Sequence, residues 1–114
     1  MANEKSLNIL WTNADVDTSV HMVMMYATNS MLNGWWESVT VIIWGATARL
    51  AAENALVQEK IKIAMHAGVK FSACRACALN LGVLEALEAQ GLEVKFWGEP
   101  LTELLTEGGK LLTI

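Results

Sequence analysis

Short apolar runs alternate along this chain with longer stretches of helical period, and that alternation narrows the fold more than any other feature. Leu7 to Trp11 reads as a first strand and Val39 to Trp44 as a second, buried one. Val69 to Ala73, Leu92 to Trp97 and Lys110 to Ile114 read as the third, fourth and fifth. Val16 to Leu32 is expected as a helix with Val16, Val20, Val23, Met24, Ala27 and Met31 on one side; Asp15 can cap its start. Thr47 to Ala67 is expected as a second helix, striped by Leu50, Val57, Ile61, Ala64 and Met65 and stopped by Gly68. A third helical region runs from about Arg75 to Gln90, with a break at Asn80-Leu81-Gly82. Pro100 suits the first position of a short helix ending near Glu107.

Strand and helix in alternation predict an α/β fold: a three-layer α/β/α sandwich around a mainly parallel five-stranded sheet, with helices on both faces. At 114 residues the chain makes one domain, residues 1–114, long enough to bury roughly two thirds of its unfolded surface. With 54% hydrophobic and 18% charged residues it cannot be disordered, and its surface is short of charge. That excess of apolar side chain predicts a homo-oligomer, with Trp35, Trp36, Tyr26 and the Met22, Met24, Met25 and Met31 cluster as candidate contacts.

Charge excludes some partners. Eight basic against twelve acidic residues give a net charge of −4, which argues against direct nucleic-acid binding and against docking on an anionic membrane. Thr18 to Trp36 carries no charged residue, yet His21, Asn29, Ser30, Asn33 and Gly34 make it too polar to span a membrane. Met1-Ala2-Asn3-Glu4-Lys5 lacks the form of an export signal, so a cytoplasmic location is expected.

In open parallel sheets the chemistry lies beyond the carboxyl ends of the strands. Four segments fall there: Thr12 to Asp17, Gly45 to Arg49, Cys74 to Ala78, and Gly98 to Pro100. Cys74-Arg75-Ala76-Cys77 is the sharpest motif, set where the third strand gives way to a helix. Backbone N–H groups there favour a thiolate, Arg75 adds positive charge, and Cys77 lies one turn on, close enough to resolve a sulfur species on Cys74. Gly45, Ala46 and Thr47 offer backbone N–H groups and a hydroxyl to an anionic sulfur. The plainer reading is that Gly45 makes the turn and Thr47 caps the helix. Two buried, inert cysteines are the structural alternative to a reactive pair. A metal site would need His21 and His66 to join the pair, and both fall within helices away from the strand ends, or a subunit interface to bring two cysteine pairs together. The loops that hold dinucleotides, flavin phosphates or nucleotide triphosphates are missing, so neither cofactor nor metal is assigned.

Val41 to Leu50, Gly68 to Ala78, Gly82-Val83 and Gly91 to Val94 together resemble the DsrE/DsrF-like family, over nearly the whole chain and most specifically from Trp44 to Gly98. The resemblance implies a compact α/β/α sandwich that assembles as homotrimers or hexamers. It also implies kinship with sulfur-relay proteins, TusD among them, which accept sulfane sulfur as a cysteine persulfide from donor proteins and pass it to acceptors. The family's sulfur-carrying position falls on Cys74; Cys77 is an addition that suits a resolving thiol. The expected function is a sulfur carrier or sulfurtransferase at Cys74, with Cys77 resolving. The alternatives are a non-enzymatic binding module with inert thiols and a dithiol–disulfide oxidoreductase.

Overall fold

The computed structural model describes residues 5–114; residues 1–4, which carry most of the reading against an export signal, lie outside the described residues. Five strands form one parallel sheet in the order β4-β3-β2-β1-β5. They are β1 (Ser6–Trp11), β2 (Ser38–Ile43), β3 (Lys70–Cys74), β4 (Glu93–Lys95) and β5 (Lys110–Thr113).

Parallel register puts paired residues on the same face. Leu7, Ile9 and Trp11 pair with Val39, Val41 and Ile43, and the row continues through Phe71 and Ala73. These side chains are buried and form one core with the helices. The opposite face carries Ser6, Asn8, Ser38 and Thr40 near the amino ends of the strands, with the Ser6 and Ser38 hydroxyls 2.8 Å apart. Toward the carboxyl ends it turns buried, at Ile42, Ser72 and Cys74.

The helical segments are α1 (Val16–Thr18), a π-helical stretch (Ser19–Met24), α2 (Met25–Leu32), α3 (Ala46–Glu53), α4 (Ala55–His66), α5 (Arg75–Leu81), α6 (Leu84–Ala89) and α7 (Gly98–Thr106). The steps β1 to β2, β2 to β3 and β3 to β4 all run the same way across the sheet. Right-handed crossovers therefore stack their helices on one face. The return from β4 to β5 runs the other way, which puts α7 on the opposite face. Trp97, at the start of α7, closes the buried end of that face by donating its Nε1–H to Ser72 Oγ at 2.8 Å.

Asp15 caps the first helical segment as expected, its carboxylate accepting from Thr18 N at 2.9 Å. The expected single helix from Val16 to Leu32 contains the π-helical stretch. There Ser19 is buried beside Val20, Val23 and Met24, and accepts from the Trp11 indole at 3.0 Å. The expected helix from Thr47 to Ala67 is two helices: Asn54 leaves helical geometry at ψ 114 and caps α4, its Oδ1 accepting from Val57 N at 2.9 Å. The expected break after Asn80 is present, with Gly82 left-handed at φ 70. β4 stops at Lys95, two residues before the expected Trp97. Pro100 stands third in α7 rather than first, a position whose N–H also lacks an intrahelical partner. No helix of the described residues is long and apolar enough to cross a membrane.

Candidate functional site

Cys74 closes β3 and caps α5 with extended backbone (φ −68, ψ 117); its side chain makes no capping bond to the helix N–H groups. It is 4% exposed. Cys77 stands in the first turn of α5 and is half-buried. Both thiols are free.

The hydrogen bond expected for an anionic sulfur is present, but on the second cysteine: Gly45 N–H donates to Cys77 Sγ at 3.3 Å. Gly45 adopts φ 70 and ψ −133, a region that a residue with a Cβ enters only under strain. The glycine is thus what aims this N–H at the sulfur. Thr47 is fully buried, and its hydroxyl donates to the Trp11 carbonyl at 2.7 Å and accepts from Trp44 N at 3.2 Å. Gly45 makes the turn as the plainer reading has it, but Thr47 does not cap the helix: it stands inside α3, whose N-cap is Gly45 with no side-chain bond, and its hydroxyl ties the ends of β1 and β2 together.

An open cleft of about 770 Å³ lies beyond the carboxyl ends of the strands. Ala14 from the first loop, Gly45 and Ala46 from the second, Arg49, Leu50 and Glu53 from α3, and Cys77, Asn80 and Leu81 from α5 line it. Three of the four segments marked by the strand-end rule thus meet at one cavity; Gly98 to Pro100 does not border it. Cys74 and Arg75 do not line it either. Sequence reasoning missed Leu50, Glu53, Asn80 and Leu81 as cleft residues. Their signal was their position on the two helices that follow β2 and β3, which pack against each other.

Burial pushes the Cys77 thiol up from its ordinary value; the Gly45 N–H pulls it down, and the neighbouring Cys74 adds to the rise. The resting Cys77 is therefore a protonated thiol at neutral pH. His21 and His66 border two other hollows, apart from the thiols. Among the described residues, no group of three or more His, Cys, Asp or Glu side chains converges.

No family model matches the chain, and no curated protein matches it. Among solved structures it is similar to the conserved protein of unknown function BT1422 from Bacteroides thetaiotaomicron. Identity is 39%, with 100% of this chain and 98% of the other covered at a TM-score of 0.96. The YchN protein of E. coli aligns over 100% of both chains at 15% identity and a TM-score of 0.71. Protein MTH1491 of Methanobacterium thermoautotrophicum, also of unknown function, aligns over 96% of this chain and 97% of its own at 16% identity and a TM-score of 0.65. The latter two bear on the fold alone, which is DsrE-like. At the identity and coverage it shares with the first, this chain belongs to the family of the Bacteroides thetaiotaomicron protein BT1422, on a DsrE-like fold.

Proposed function

We propose that the protein is a sulfane-sulfur carrier whose working group is the Cys74–Cys77 pair, with Cys77 as the thiol that meets the donor. The observation that carries this reading is the Cys77 sulfur lining the cleft with the Gly45 N–H bonded to it. The order of the two thiols is thereby reversed from the sequence expectation: Cys74 lies 4% exposed and off the cleft, and serves as the resolving partner.

The step balances without an external oxidant. Cys77, a thiol at rest, gives its proton to solvent; the thiolate then attacks the outer sulfur of a persulfide R–S–SH, and that S–S bond breaks as the new one forms. R–S⁻ leaves and takes up a proton, so Cys77 carries the added sulfur. The persulfide so formed extends into the cleft, where an acceptor thiol can take its outer sulfur by the same exchange. Alternatively Cys74 attacks the inner sulfur, leaving a Cys74–Cys77 disulfide and releasing hydrogen sulfide. Both routes need reduced thiols at the start, which agrees with the cytoplasm as the expected compartment.

The carrier is proposed to work as a homo-oligomer. Met25 and Leu32 on α2, Leu56 and Ile63 on α4, and Trp35 in the connection after α2 are exposed large apolar side chains, and the Trp35 ring centroid lies 6.0 Å from that of Tyr26. Trp36 is half-buried and donates to Tyr26 Oη, so of the two tryptophans only Trp35 is offered outward. Light scattering of the purified protein reads the assembly directly, and a monomer at all concentrations would remove this part of the reading.

Intact mass under non-reducing conditions tests the carrier. After treatment with a persulfide donor, Cys74→Ser should gain one sulfur atom that reductant removes, wild type should gain that atom or lose two hydrogens where Cys74 resolves it, and Cys77→Ser should gain none. Loss of two hydrogens in wild type with no sulfur gained by Cys74→Ser would favour the dithiol–disulfide oxidoreductase. No change in any of the three proteins would leave the inert binding module.

A further inference from the structure

We infer that the cleft is a binding site for a low-molecular-weight persulfide with a zwitterionic amino-acid head, such as cysteine persulfide. The inference rests on Cys77 being the thiol that meets the donor, and it names the donor's chemistry.

The cleft's volume of about 770 Å³ falls in the range of small-molecule sites and has room for a head group and a short chain beside the sulfur. Its walls are mostly apolar, through Ala46, Leu50 and Leu81, and suit a methylene segment. Its charged groups are one cation and one anion, Arg49 and Glu53, on the same helix one turn apart. Their Nε and Oε1 atoms lie 3.8 Å apart, and both side chains are more than half exposed, at 58% and 60%. Such a pair holds itself together weakly and rearranges at little cost. An amino-acid head presents a carboxylate and an ammonium on one carbon, so Arg49 and Glu53 together offer its two counterparts. A purely anionic ligand would leave Glu53 as a repulsive neighbour, and an uncharged one would leave both charges unused. A donor bound by this head puts its sulfur chain in the same cavity as Cys77 Sγ, for the exchange described above.

S-Methylcysteine reproduces the head and the chain of cysteine persulfide but has no transferable sulfur, so it separates binding from chemistry. Titrated into the full-length protein and followed by amide NMR, it should give saturable shifts at Gly45, Arg49, Glu53 and Asn80. Arg49→Ala and Glu53→Gln, both at exposed positions, should each weaken the affinity about tenfold. The N-acetyl methyl ester of S-methylcysteine, which lacks both head charges, should not saturate. Absence of saturable shifts, or affinity unchanged in both variants, overturns the inference, even where Cys77 still gains sulfur from a persulfide donor. Conversely, S-methylcysteine binding without any sulfur gain would retain the zwitterion site and remove the carrier reading.

Discussion

The Thr47 hydroxyl, fully buried, donates to the carbonyl of Trp11 at 2.7 Å and so links the start of α3 to the last residue of β1. Its proton has the Trp11 carbonyl and, at 3.1 Å, the Trp44 carbonyl as acceptors, which leaves the Gly45 N–H as the donor that reaches the sulfur. Thr47→Val keeps the shape and removes the hydroxyl. The Trp11 carbonyl retains the longer bond from Trp44 N at 3.3 Å, so the cost is that of one net hydrogen bond, about 0.5–1.5 kcal/mol. Urea unfolding should show that loss, while sulfur gain at Cys77 should persist. A variant that folds normally but loses sulfur gain would return Thr47 to the sulfur site.

Gly45→Ala probes the turn itself. No neighbouring atom stands within 4 Å of the added Cβ, so crowding is not the problem. The penalty is backbone strain at φ 70 and ψ −133, on the order of 1–3 kcal/mol. Relaxing that strain rotates the N–H away from Cys77 Sγ. Thermal unfolding should register the destabilisation. The pH profile of Cys77 alkylation should move to higher pH, because the larger of the two backbone N–H contacts that lower this thiol is lost.

On the other face of the sheet, Trp97 Nε1–H donates to Ser72 Oγ, whose own hydroxyl donates to Glu93 Oε1 at 2.6 Å. Ser72 holds the Glu93 carboxyl below its ordinary value, with Lys95 helping, while burial opposes them. A carboxyl lowered by folding adds stability above its unfolded value and loses it as pH falls through its folded one. Glu93 is an exposed residue, so the contribution is small. Ser72→Ala should return the Glu93 titration, read by carboxyl NMR, toward the ordinary range. It also leaves the buried Trp97 N–H unpaired, which should cost about 1–3 kcal/mol in urea unfolding.

Much of this architecture is written locally. The strands announce themselves as short apolar runs, with an unbroken β-branched stretch only in β2, and Gly82 marks the break in the third helical region because a left-handed residue must stand there. The break at Asn54 is hidden by a stripe that continues through it: Leu50, Val57 and Ile61 keep helical spacing on both sides. Asn54 is a residue type that caps helices, but the apolar spacing runs through it unbroken. The π-helical stretch leaves no mark in the apolar pattern, and its first residue, Ser19, turns inward to meet the Trp11 indole, a contact with β1 that the pattern does not carry. Trp97 looks like a strand residue by its type, yet its partner is Ser72, across the sheet surface. At the site, the CxxC motif and the strand-end rule located the region. Which sulfur faces the cleft depends on how α5 meets the Gly45 turn and α3, a tertiary fact with no local signature.

The final prediction concerns pH. Burial and the nearby Cys74 both raise the Cys77 thiol, and the Gly45 N–H only partly offsets them. The thiolate is the reactive form, so alkylation by iodoacetamide should climb with pH and keep climbing past the ordinary thiol range. Cys74→Ser removes one of the raising influences and should shift the Cys77 profile to lower pH. Folding should show the linked effect. The unfolded chain releases the Cys77 proton before the folded protein does. Stability is therefore unaffected below the unfolded thiol value and falls as pH rises from there through the folded one. Cys77→Ser should flatten that alkaline decline. A wild-type alkylation profile centred below the ordinary thiol value would mean that the sulfur rests as a thiolate, with the Gly45 N–H outweighing burial.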